Sequence, residues 1–157
     1  KKKSFFKKKY IFLKSSHILQ MVDAGIKTSE DALGAFNALK MEKKGRYITY
    51  KVESDQVVVE SVGDRDATWD DFVKLMPEKD FKIGVFDFTY QTDDKPPRTV
   101  DKLILVYWCP DEAPPKVKMV SASTFTSFQK RLNGISKAIQ AKYPSDLEFD
   151  EVKSNLK

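Results

Sequence analysis

The chain has 157 residues, 41% hydrophobic and 12% aromatic, which suits one domain with its own core. Its net charge of +5 sits in residues 1–20, with seven lysines and no acid; the other 21 basic and 23 acidic residues leave 21–157 at −2. A near-neutral body argues against nucleic acid as the main partner, no apolar stretch approaches the roughly 20 residues of a spanning helix, and the single cysteine, Cys109, excludes an internal disulfide and suits a reducing compartment.

Residues 1–20 (KKKSFFKKKYIFLKSSHILQ) differ in composition from all that follows. The apolar run Tyr10 to Leu13 is too short for a signal-peptide core. Such lysine clusters anchor proteins to anionic membrane or direct nuclear import. The plainest expectation is an extension, disordered or not native, ahead of a single domain over 21–157. Thr28-Ser29-Glu30-Asp31 then starts a helix, a hydroxyl cap with acids in the first turn. Ala32, Leu33, Phe36 and Leu39 recur at helical spacing, and Gly45 is the expected breaker.

Arg46 to Val52 and Gln56 to Ser61 read as strands joined by a short hairpin connection. After a loop at Gly63 to Asp66, Thr68 caps a short helix, Trp69 to Met76, closed by Pro77. Phe81 to Tyr90 and Lys102 to Trp108 are nearly continuous in β-branched and aromatic residues, as strands covered on both faces are. Gln91 to Thr99 between them is an exposed turn. A long helix is expected over Lys116 to Asn133, with Asn133-Gly134 as its stop. Ile135 to Ala141 adds either a helical turn or a strand, and Asp146 to Leu156 a last short helix. The fold class is therefore α+β, a central mixed sheet of four to six strands sandwiched between helices.

Catalytic chemistry finds little support. The only histidine, His17, lies in the basic extension, so no Ser-His-Asp or Cys-His arrangement can be built inside the domain. One Cys and one His do not make the usual zinc sites, and the six glycines are scattered singly instead of forming a phosphate loop. The acid pairs Asp70-Asp71 and Asp93-Asp94 read as solvated charge. No enzyme, metal or cofactor is expected.

The long helix is the candidate binding element. At 100° per residue from Val117, the residues Val117, Val120, Thr124, Phe128, Leu132 and Ile135 fall within about 60° of one line, the core face. Met119 lies about 200° away, beside Ala122, Ser123, Thr126 and Lys130. An exposed Met among small residues lets another protein surface come close, and Lys116 and Lys118 steer an acidic partner. Lysines at a helix start are ordinarily just solvated, yet these two oppose the charge preference of a helix N-terminus.

The run Trp108-Cys109-Pro110-Asp111-Glu112-Ala113-Pro114, followed by Lys116-Val117-Lys118-Met119-Val120-Ser121-Ala122-Ser123, resembles the actin-depolymerising factor/cofilin family. Gly25-Ile26, Ala35 to Lys40, Val85 to Tyr90 and Asn133-Gly134-Ile135 are similar too, so the resemblance covers about Ala24 to Lys157 in one order. It implies a protein of the actin cytoskeleton that binds actin monomers and filaments and promotes severing and subunit loss. Its monomer-binding surface would comprise Gly25, Ile26, Lys116, Lys118, Met119, Ser123, Thr126 and Lys130. A second, filament-only site would use Lys102, with Arg98 as a near neighbour, and Lys153 and Lys157. Phosphoinositide headgroups are a further implied ligand, competing with actin, and the protein is expected to be monomeric and cytoplasmic, with nuclear entry open.

Three departures from the family pattern carry expectations. Ala24 stands where the regulatory serine usually precedes the glycine, so control by that phosphorylation should be absent. Phe125 and Gln129 replace basic residues along the helix, implying a less charged monomer contact. Ser154 and Asn155 replace a charged pair on the last helix, where Lys153 and Lys157 could compensate. A mainly monomer-binding regulator and a phosphoinositide-binding membrane module are the alternatives.

Overall fold

The two long apolar runs become the two longest strands, because every second residue of each feeds a different core. The computed structural model describes residues 26–157; the extension 1–20, Ala24 and Gly25 lie outside the described residues. Along the chain run β1 (Lys27–Thr28), α1 (Glu30–Glu42), β2 (Tyr47–Glu53), β3 (Gln56–Gly63), α2 (Trp69–Val73), β4 (Lys82–Gln91) and β5 (Thr99–Trp108). Then come α3 (Pro115–Gln129), β6 (Lys137–Ala141), a 3-10 turn at Pro144–Leu147 and α4 (Phe149–Asn155).

The strands form one six-stranded sheet in the order β1-β3-β2-β4-β5-β6. The inner pairings are antiparallel, while β1 joins β3 and β6 joins β5 in parallel. Ile83, Val85, Leu103 and Leu105 point to one face, where α1 contributes Ala32, Phe36 and Leu39 and α3 contributes Phe125 and Phe128. Phe86, Phe88, Ile104, Val106 and Trp108 point to the other, where Trp69 and Phe72 of α2 and Val152 of α4 cover them. Burial on both faces is why these strands carry no polar alternation. The expected mixed sheet between helices is the fold observed.

Local signals hold in part. The Ser29 hydroxyl accepts from the Ala32 N–H at 3.1 Å and caps α1, and Thr68 and Asp71 form a reciprocal capping box on α2. The stop of α1 is Lys43, in the left-handed region at φ 55°, with its N–H on the Ala38 carbonyl. Gly45 is needed for another reason: at φ 81°, a Cβ there would meet the Gly63 carbonyl oxygen at 2.8 Å. The two-residue β1 was not expected; its partners are Gln56 and Val57 of β3, and nothing local signals it. Ile135 to Ala141 resolves as the strand β6, α3 ends four residues before the expected Asn133, and the last helix is divided into the 3-10 turn and α4.

Among the described residues one charge is buried in this frame. Asp87 of β4 is 1% exposed and faces the α1 side, where it accepts from Lys43 Nζ at 3.0 Å and Arg65 Nη1 at 2.7 Å. Burial raises its pKa, but the two hydrogen-bonded cations outweigh burial and hold the carboxyl below its usual value. A carboxyl depressed in the folded state contributes stability that is present above its unfolded pKa and lost as pH falls through the folded one. Asp87→Asn is expected to lower stability at pH 7 by about 1–3 kcal/mol. It should also flatten the acid limb of a urea-unfolding series below about pH 4; an unchanged acid limb would exclude Asp87 as its source.

Candidate functional site

The start of α3 is poorly capped by its own side chains. Pro114 occupies the cap position without a side-chain hydrogen bond, Pro115 opens the helix, and no acid lies in the first turn. Lys118 relieves the mismatch by turning back: its Nζ donates to the Asp111 carbonyl oxygen at 2.6 Å and lies 3.4 Å from the Asp111 carboxylate. Lys116 is exposed beside it.

On the outer face Met119 is 71% exposed, with Ala122, Ser123, Thr126 and Lys130 exposed below it. The Ser123 and Thr126 hydroxyls donate to the Val120 and Ala122 carbonyls at 3.0 and 2.9 Å, which spends their protons on the helix and leaves oxygen lone pairs outward. The short strand β1 flanks this face. Between them lies an open groove of about 880 Å³, with Ile26, Lys27 and Thr28 on one wall and Met119, Ser123, Thr126 and Lys130 on the other. Ile26, distant in sequence, is thus brought to the same surface as the helix residues; Gly25 lies outside the described residues. The sequence reading missed Lys27, Thr28, Ser127 and Arg131, which also line the groove. Their placement depends on the pairing of β1 and on α3 ending at Gln129, and neither has a local signal.

The inner face corrects the expectation for Phe125. This residue is 5% exposed and stacks on Tyr107, with ring centroids 4.7 Å apart. It therefore belongs to the core and does not alter the charge of the exposed face; Gln129 is exposed and does. Ser121 is fully buried as well, its hydroxyl 2.7 Å from the Tyr107 hydroxyl and 3.5 Å from Cys109 Sγ. Burial pushes the Tyr107 pKa up, so the phenol stays protonated in this contact.

The other four assigned residues gather at the far end of the β4–β5 hairpin. Arg98 Nη2 pairs with Asp94 at 2.6 Å, Lys153 Nζ with Asp93 at 3.0 Å, and Lys157 with Asp93 as well. Lys102 pairs in register with Phe88, whose ring stacks on Phe149 of α4 at 4.7 Å. The hydrogen bonds from Lys157 and Lys153 hold the Asp93 carboxyl at about 2, and Asp93 in turn raises Lys157. Asn155 turns its amide back to the Glu151 carbonyl at 3.1 Å.

Residues 25–157 match the family model described as cofilin/tropomyosin-type actin-binding protein. The chain belongs to this family. Actophorin of Acanthamoeba castellanii is 37% identical over 136 residues, spanning 85% of this chain and 96% of that protein. Actin-depolymerizing factor 7 of Arabidopsis thaliana is 34% identical over 131 residues, spanning 83% and 94%. Among solved structures, Streptomyces griseoflavus cofilin superposes with a TM-score of 0.76 at 27% identity, covering 84% of this chain and 97% of that one. The family's description is one of binding to actin.

Proposed function

We propose that this protein binds actin monomers and filaments and promotes filament disassembly, with the α3–β1 surface as the monomer site. The observation that carries this is the exposed Met119 on a small-residue face, continuous with Ile26 across an open groove, in a chain of an actin-binding family. Ile26, Met119, Ser123, Thr126 and Lys130 line the groove, Lys116 and Lys118 supply charge at its helical end, and Gly25 immediately precedes Ile26. Arg98, Lys102, Lys153 and Lys157 form the filament-side surface. No bond is made or broken: binding energy selects one filament geometry over another. Phosphoinositide headgroups compete for the basic rim of the same groove, and the protein acts as a monomer in the cytoplasm, with residues 21–157 as the functional domain.

The test is co-sedimentation with actin filaments across a range of ratios, with both proteins measured in pellet and supernatant. Co-pelleting together with extra soluble actin is the expected result. No change in either would overturn the reading and favour lipid binding. Rising soluble actin without co-pelleting would mark a monomer binder, the alternative favoured by the internal pairing of Lys153 and Lys157. Lys102→Ala is expected to weaken filament binding several-fold while monomer affinity stays within twofold. Equal losses in the two assays would refute the division into two surfaces.

A further inference from the structure

The filament-side surface has an unusual charge arrangement. Two of its cations, Lys153 and Lys157, converge on one carboxylate of the neighbouring turn. Lys153 lies on α4 and Lys157 two residues beyond it, while Asp93 lies in the β4–β5 turn, 60 and 64 positions away. Asp93 remains 62% exposed while serving both. An acidic surface approaching α4 therefore meets an acid already in place.

We propose that Asp93 is an internal competitor for the filament-side surface, occupying Lys153 and Lys157 and setting how strongly an acidic partner can engage them. This rests on the filament reading above and deepens it, by naming a residue that limits affinity instead of supplying it. The physical basis is exchange. A partner carboxylate that takes Lys153 or Lys157 must displace Asp93, so only the difference between two exposed ion pairs is gained, and it comes with the repulsion of Asp93 itself. With the Asp93 carboxyl held at about 2, it stays ionised across physiological pH, so acidification within that range does not release the lysines. Arg98 is likewise paired, with Asp94 of the same turn, so a partner carboxylate that takes it must displace an acid as well.

The experiment compares wild type, Asp93→Asn and Asp93→Glu for filament co-sedimentation at fixed ionic strength, with monomer affinity measured in parallel. Asp93→Asn is expected to tighten filament binding at least threefold, to leave monomer affinity unchanged, and to lose its gain in a Lys153→Gln/Lys157→Gln background. Asp93→Glu keeps the charge and should stay near wild type. A partner-free readout accompanies it: in the isolated protein, amine acylation followed by mass spectrometry should proceed faster at Lys153 and Lys157 in Asp93→Asn than in wild type. Wild-type binding with no gain in Asp93→Asn, or unchanged acylation, overturns the competitor role and leaves the filament reading standing. Failure of both forms to pellet overturns the filament reading, and this role with it. Pelleting by Asp93→Asn alone supports the competitor role, with the wild-type surface fully occupied by Asp93.

Discussion

Replacing Met119 and Lys118 together by alanine is expected to weaken binding to monomeric actin at least tenfold and to leave the thermal midpoint nearly unchanged. Tenfold corresponds to about 1.4 kcal/mol, within reach of one central apolar anchor and one steering charge. Stability should hold because Met119 is 71% exposed, so losing its thioether opens no cavity. Lys118 gives up a partly exposed pair with Asp111, and such pairs contribute about 0–1 kcal/mol. In a domain of this size that moves the midpoint by no more than about 4 °C. A fluorescence titration with monomeric actin and a thermal melt of the same samples decide it. A large fall in the midpoint with intact binding would mean that α3 presents its other face. Met119→Ala alone separates the anchor from the charge.

The parts of the fold legible from sequence were those whose signals are local. Ser29 and Thr68 cap their helices because a hydroxyl one residue before an amphipathic run has few other places to hydrogen-bond. The strands β4 and β5 were legible because two-sided burial demands an unbroken apolar run. What was not legible depends on contacts distant in the chain. The strand β1 exists through Gln56 and Val57, and the pairing of Lys153 and Lys157 with Asp93 joins residues more than 60 positions apart.

The rotation of α3 about its axis departs modestly from the one its apolar spacing implies. Its buried residues are Ser121, Thr124, Phe125 and Phe128, a stripe turned about 30° from the line through the apolar positions counted from sequence. The shift traces mainly to Phe125, about 80° from Val117, and in smaller part to Ser121, whose burial no hydrophobicity pattern shows, because its hydroxyl is satisfied by Tyr107 and by the Lys118 carbonyl. Met119, Ser123, Thr126 and Lys130 are far enough from that stripe to remain outside after the correction. Phe125 is not, and it crosses from the expected contact face into the core.

Phe125 therefore gives the sharpest separation of the two views of this helix. If it merely stood in for a basic residue at the contact, Phe125→Lys would restore a charge and tighten monomer binding. With its ring buried against Tyr107, the substitution removes an aromatic whose truncation alone costs about 3–5 kcal/mol. It also places an ammonium where none can be solvated, so the lysine must lose its proton or pull the helix off the sheet. The thermal midpoint is expected to fall by at least about 6 °C, with monomer affinity falling too as the exposed face distorts. Gln129→Lys, on the exposed side of the same helix, should leave the midpoint within about 2 °C and hold or raise affinity. Met119 and Phe125 lie about 120° apart around α3, so a rotation that points Phe125 straight outward leaves Met119 only about 60° from the core line. A Phe125→Lys protein that melts like wild type and binds more tightly would require a helix rotated toward Phe125. The same rotation would carry Met119 toward the core, and the double alanine variant would then lose stability while keeping its affinity.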